Sequence, residues 1–321
     1  MVPQVSLTRA QTYDRNELRQ HLEAVLAPLG GMAAFVKPGD RVLLKPNLLT
    51  GSRPTKECTT RPELVYCVAQ MVQAVGGKPF LGDSPAFGSA RGVAKANGLL
   101  PLAEEIGLPI VELHGHRYAT ANSGDFDHLR LSKEAMEADV VINLPKVKSH
   151  VQLTLTLGVK NLFGCVPGKM KAWWHMEAGK DRQRFGTMLV ETARLIDPDL
   201  TILDGIIGHE GNGPSGGEPR LLGVLGASAD VFALDRAMVE VLGVNPTDVP
   251  TVAESLRLGV CGELDAIAFP LFTPADLRVT DWKLPDHLMP IDFGAPRVVK
   301  STFKHFYIRF IKEPIAAYAG R

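Results

Sequence analysis

Five times along the chain a short run of β-branched and leucine residues stops at a polar, Gly- or Pro-rich loop, and a segment with helical spacing usually comes next. The runs are Arg41–Lys45, Lys78–Leu81, Val140–Asn143, Leu200–Leu203 and Leu221–Leu225. They lead into PNLLTGSRPTKECTT, GDSPAFGSA, LPKVKSH, DGIIGHEGNGPSGGEP and GASADVFALD. This rhythm is that of parallel βα units, and it predicts an α/β fold with a mostly parallel sheet flanked by helices. The spacing between the runs predicts helices over 15–27, 61–75, 98–106, 184–196 and 229–242. Ligands of open parallel sheets gather at the carboxyl ends of strands, where all five loops begin.

A chain of 321 residues forms one large body or two lobes sharing a cleft, because single cores stop growing at roughly 250–300 residues. Residues 1–265 read as the α/β core. Residues 266–321 change character and end in the basic-aromatic STFKHFYIRFIKEPIAAYAGR, an extension that reads as a lid, a homodimer arm or a docked helix.

The 35 basic side chains balance 35 acidic ones, so no global field draws a polyanion and nucleic acid is not the expected partner. No basic start precedes an apolar run, and no stretch of about 18 apolar residues occurs, so neither secretion nor a membrane span is expected. A cytoplasmic location follows. The four cysteines stand far apart without C-x-x-C spacing. They read as buried thiols in a reducing compartment, and no iron–sulfur cluster is expected.

Against that neutral background, Pro145 to Lys171 holds five lysines (146, 148, 160, 169, 171) and no carboxylate. Such an imbalance focuses potential on an anionic ligand, although a solvated basic face has the same composition. Gly158, Gly164, Pro167 and Gly168 interrupt it and favour a close-fitting irregular backbone. Lys146 and Lys148 read as clamps for a substrate anion. Lys160, Asn161, Gly164, Gly168 and Lys169 read as a cofactor loop. Gly164–Lys169 is not a phosphate-binding loop of the nucleoside triphosphatases, since only three residues separate its glycines and Met170 stands where Ser or Thr would hold magnesium.

The second constellation runs from Asp204 to Glu218, with six glycines between 205 and 217. Its amides can approach a ligand as in anion-binding nests, or the loop is simply mobile. Asp204, His209 and Glu210 supply bases or metal ligands, with His175 completing a possible metal set, and Asn212 adds a substrate contact. Lys45, Asn47 and Asp83 stand at strand ends and line the same cleft, or serve as turn and cap residues.

Together LLKPNLL, GDSP, INLPKVKSH, TLGVKNLFGCVPGKMKAWWH and DGIIGHEGNGPSGG, spread over about residues 40–245, resemble the bacterial and archaeal family known as domain of unknown function 362. Many members carry a four-iron ferredoxin-like module, whose cysteine run is missing here. The chain also resembles, more distantly, the nickel-pincer lactate racemases, whose sites order a histidine, a cofactor-bearing lysine ten positions later, a Pro-Gly turn and a second histidine. His150, Lys160, Pro167-Gly168 and His175 follow that order. The resemblance implies a lysine-linked nickel-pincer nucleotide on Lys160.

The residues therefore point to an enzyme that moves a proton or hydride at a carbon next to a carboxylate, racemase-, isomerase- or oxidoreductase-like. His150 or His175 serves as acid/base, because the imidazole pKa of about 6.5 is near working pH. Lys160 holds a cofactor or stabilises an enolate-like charge, and Asp204 orients the histidines. The alternative is a non-catalytic protein that binds an anion, a metal complex or a redox partner through the same loops.

Overall fold

The computed structural model describes residues 2–119, 126, 129–168, 170–177, 181–291 and 307, with the side chains of 118, 119, 170 and 172 left aside. Its strands are β1 (Ser6–Arg9), β2 (Arg41–Pro46), β3 (Lys78–Asp83), β4 (Ile110–Glu112), β5 (Arg117–Ala119), β6 (Leu129–Leu131), β7 (Val140–Leu144), β8 (Lys146–His150), β9 (Thr154–Thr156), β10 (Leu200–Glu210) and β11 (Glu218–Ser228). Its helices are α1 (Arg15–Leu26), α2 (Pro62–Ala74), α3 (Ala90–Ala96), α4 (Leu99–Glu105), α5 (Lys133–Met136), α6 (Gly158–Leu162), α7 (Met170–Glu177), α8 (Arg182–Ile196), α9 (Val231–Val241) and α10 (Pro250–Arg257).

The main sheet runs β1-β11-β10-β7-β2-β3-β4, with β8 joined to β10 and β9 to β8. The β10-β7-β2-β3-β4 stretch is parallel, and β11 and β1 continue it in antiparallel sense. Both faces are covered, as such sheets require. On β2, Val42 and Leu44 pack with Leu18, Leu22, Leu64 and Val68 of α1 and α2. Leu43 points the other way, toward Phe185, Met188 and Leu189 of α8. A third cluster joins Val147, Leu203 and Val224 to α9 and to Trp282 beyond it. The chain is thus an α/β protein with a mostly parallel sheet between helical layers.

Helix ends follow side-chain chemistry. Asp14 and Asp181 accept from the first-turn amides of α1 and α8, as Asp230 does for α9, and Pro62 opens α2 where its missing N–H costs nothing. The expected helices are all present, displaced by at most two residues at either end.

Two expected loops are strands instead. LPKVKSH supplies β8, parallel to β10 and antiparallel to β9. DGIIGHEGNGPSGGEP is mostly a hairpin: β10 continues to Glu210 and β11 returns antiparallel from Glu218, so only 211–217 turn. The glycines there belong to close packing. A side chain at Gly213 would collide with the Ser149 carbonyl, and Gly211 has φ +81° at the turn. Leu221–Leu225 is accordingly the return strand of this hairpin and not the start of a separate parallel unit.

After α10 the chain recrosses the core: Ala268 donates to the Pro3 carbonyl, Val279 to that of Val241, and Met289 to that of Val151. The extension ends, for the described residues, at the buried Ile291. Its basic-aromatic end lies outside the described residues apart from the exposed Tyr307, and so do the docked-helix and dimer-arm expectations attached to it.

Candidate active site

The carboxyl ends of β2, β3 and β7 meet β8, α6 and α7. Lys45, in the last turn of β2, lies 3.0 Å from Asp83 at the end of β3. Its Nζ also donates to the Pro46 carbonyl and to Asn161 Oδ1. Asn161 in turn donates to the Lys45 carbonyl and to Asn143 Oδ1, and Asn143 donates to the Gly158 carbonyl. Asp83 accepts from the amides of Leu48 and Ser84. This web ties α6 to three strand ends. Gly164 fits over it because any side chain there would run into Asp83 and Lys45.

Strand periodicity sends Lys146, Lys148 and His150 to one face of β8, and Val147 and Ser149 to the other. Lys146 is closed into a buried network: its Nζ lies 3.1 Å from Asp204 and 3.2 Å from Glu57, and it donates to Tyr13 Oη. Tyr13 donates to Asp204 Oδ1, whose other oxygen also accepts from the Arg61 amide. Burial and the Asp204 carboxylate push the Tyr13 phenol well above its usual value. Asp204 is therefore fully engaged in holding Lys146 and Tyr13.

Lys148 donates to Asn47 Oδ1 (2.9 Å) and the Cys58 carbonyl (2.7 Å). Desolvation lowers its pKa to about 7. Lys160, half-buried on α6, has no ion pair among the described residues, and its Nζ sits 4.6 Å from the centre of the Phe163 ring. Burial, then the charges of Lys171, Lys148 and Lys45, bring it to about 7 as well. Lys171 of α7 donates to the Ser84 carbonyl and is lowered to about 8, chiefly by burial. Gly168 joins the same corner, its N–H donating to Ser84 Oγ.

His150 accepts the Gln152 amide at Nδ1, which places its proton on Nε2. Burial, with Lys160, Lys148 and His175 nearby, holds it well below the usual imidazole value. His175 lies against Phe185, ring centres 4.4 Å apart, and donates Nδ1–H to the Ile291 carbonyl. Burial and Lys160 lower it to about 3. Both imidazoles are neutral, and in His175 the unprotonated nitrogen is Nε2.

Lys45, Asn47, Asp83, Lys146, Lys148, His150, Lys160, Asn161, Gly164 and His175 thus come into one connected region, with Asp204 behind Lys146. The expected metal set does not assemble. His209 accepts the Gly217 amide at Nε2, and burial lowers it to about 4. Its buried Nδ1 lies toward the Lys56 carbonyl without a hydrogen bond of good geometry among the described residues. Glu210, the next residue along β10, accepts from Arg220 and the Lys283 amide. Among the described residues no three His, Cys, Asp or Glu side chains gather to hold a metal. Asn212 pairs with Asp286 at the surface and holds the hairpin turn to the extension. Lys169 lies outside the described residues.

Sequence reasoning gave no role to five partners. Asn143, Ser84 and Lys171 stood inside segments already singled out, whereas Tyr13 lies far away in the sequence with nothing local to mark it. Asp235 was equally silent: from α9 it accepts the amides of Gly158 and Val159 at 2.7 and 2.9 Å, and burial raises it to about 7. It anchors the start of the helix that carries Lys160.

The stretch from β2 to α9 that builds this region, residues 42–240, matches the family model described as Domain of unknown function (DUF362). The chain belongs to this family. It is 65% identical over all 321 residues, covering 100% of both chains, to the "Thylakoid-associated protein sll1697" of Synechocystis sp. (strain ATCC 27184 / PCC 6803 / Kazusa). Among solved structures it is similar to the lactate racemase apoprotein from Thermoanaerobacterium thermosaccharolyticum, with a TM-score of 0.47 and 14% identity over 71% of this chain and 54% of that one. The chain thus spans about half the length of that structure. No helix among the described residues is long and apolar enough to cross a membrane.

Proposed function

We propose that this DUF362 protein is an enzyme that moves a proton at a carbon next to a carboxylate of a small anionic metabolite. The observation that carries the reading is the convergence of Lys148, Lys160 and Lys171 on the strand ends where Lys45 holds Asp83, with the neutral His150 and His175 beside Lys160. A lysine desolvated beside other cations is poised between amine and ammonium at neutral pH, the state required of a base or a nucleophile. Lys160 takes the proton or stabilises the developing enolate-like charge. Lys148 and Lys171 hold the carboxylate, and His150 Nε2–H donates to oxygen on the substrate. The neighbouring cations stabilise the enolate-like charge that develops on the substrate as the proton leaves its carbon.

Lys160 also fits a covalently held group: its amine is half-buried, has no ion pair among the described residues and is readily neutral. The nickel-pincer nucleotide implied by the racemase-like motif would be carried by Lys160 with His175 beside it, and when bound it supplies hydride transfer at the substrate carbon. Intact mass of the chain purified without chelator reads this directly, as an added mass that maps to Lys160 and disappears in Lys160→Ala.

The main test is α-proton exchange of 2-hydroxy and 2-oxo carboxylates in D2O, followed by proton NMR. Lys160→Ala is expected to lose about 100-fold or more, the usual weight of one acid/base group, while Asn212→Ala keeps the parent rate. Exchange that survives Lys160→Ala and His150→Ala sinks the assignment. This reading places the enzyme in the cytoplasm. The name of the Synechocystis relative favours a second location, in association with thylakoids, and fractionation of cells decides between them.

A further inference from the structure

The lysines around this site divide by what answers their charge. Lys45 faces Asp83, and Lys146 faces Asp204 and Glu57. Lys148, Lys160 and Lys171 have no ion pair among the described residues: the first donates to an amide oxygen and a carbonyl, the second lies over an aromatic ring, and the third donates to a carbonyl. They come from three different elements, β8, α6 and α7, and Lys160 lies within electrostatic reach of the other two. The other titratable groups around them are Lys45, Asp83, Lys146, His150, His175, His209 and the thiols of Cys58 and Cys165. None of these supplies an uncommitted negative charge. Like charges buried together require a counter-charge, and the ligand is what remains to bring it.

We propose that the ligand of this site is a small dianion, a dicarboxylate rather than a monocarboxylate of the same skeleton, held jointly by Lys148, Lys160 and Lys171. The proposal deepens the proton-transfer reading and rests on it for calling this ligand the substrate. A pH signature accompanies it. Lys148 and Lys160 are held at about 7 and Lys171 at about 8, so a bound dianion raises all three and draws protons from solution above pH 7. Affinity therefore climbs as pH falls from about 9 to about 6.5, then levels once the lysines are charged in the free protein.

The test is calorimetric titration of the full chain with malate and with lactate at pH 7.5, in two buffers of different ionisation enthalpy. Malate is expected to bind about tenfold tighter or more, with net proton uptake. Lys171→Gln and Lys148→Met, checked for folding by thermal melting, each reduce malate affinity about tenfold and reduce lactate affinity less, so the preference for malate shrinks in both variants. Equal affinities, absent proton uptake, or no binding of either acid overturn the proposal. α-Proton exchange on the same samples separates the two readings. Exchange without malate preference sinks the dianion and keeps proton transfer, whereas malate preference with proton uptake but without exchange keeps the dianion site and sinks proton transfer.

Discussion

Lys148 shows at the scale of one residue what an anion site costs a folded protein. Its ordinary pKa of 10.5 falls to about 7 because the side chain is fully buried, so between those values the unfolded chain binds more protons than the folded one. Stability from this group therefore rises with pH across roughly 7 to 10 and is lowest at and below 7. Methionine keeps the volume of the stem and removes the charge, at the expense of the bonds to Asn47 and the Cys58 carbonyl. The difference in melting temperature between Lys148→Met and the parent should accordingly move in favour of the variant as pH falls from 10 to 7. A difference that stays constant with pH would mean that Lys148 ionises normally in the fold. Sequence alone marked Lys148 as one of five lysines; the loss of its usual protonation follows from the strand face it shares with Lys146 and His150, which no local pattern reveals.

Among the elements, the 164–171 segment and the β10–β11 hairpin both looked like glycine-lined ligand loops, and they differ in what the glycines do. Gly164 has no room for a side chain because Asp83 and Lys45 fill the space beside it. Gly164→Ala should force those partners apart and cost about 1–3 kcal/mol, the usual penalty of overpacking, together with ligand binding, as read by urea denaturation and calorimetry. Unchanged stability would show that the turn after α6 and the 82–84 turn can separate freely. In the hairpin, by contrast, Gly205, Gly213, Gly216 and Gly217 lie against neighbouring backbone, so close packing accounts for their lack of a side chain. Gly205 and Gly208 interrupt an otherwise apolar run, so β10 reads as ending at Leu203 when it continues to Glu210. The Val224 carbonyl and the Trp282 ring, which occupy the space beside those two glycines, are contributed by distant parts of the chain. The parallel strands and the helices were legible because their signals are local, apolar runs and helical spacing with acidic caps. The lysine-rich half of the site was legible as a charge imbalance; the strand identity of β8 was not, since five polar-rich residues in a buried strand contradict the usual apolar pattern.

For the molecule as a whole, the segment 266–291 decides whether the core is a self-sufficient unit. Its contacts are spread along the chain: Ala268 bonds to the N-terminal strand region, Trp282 Nε1 donates to Ser149 Oγ on β8, the Lys283 carbonyl accepts from that same hydroxyl, and the Ile291 carbonyl accepts from His175. Trp282 and Ile291 are both buried. Removing residues 266–321 would thus uncover apolar surface on two separate clusters and release the imidazole of His175 from the acceptor that sets its tautomer. Buried aromatic and aliphatic side chains of this size contribute about 1.5–3 kcal/mol each, a large fraction of the roughly 5–15 kcal/mol that separates a folded domain from its unfolded chain. The truncated chain should therefore melt at a markedly lower temperature, and its α-proton exchange should fall even at temperatures where it remains folded. A fragment 1–265 that melts and exchanges like the full chain would show instead that the segment is an appendage, and that the site is complete within the α/β core.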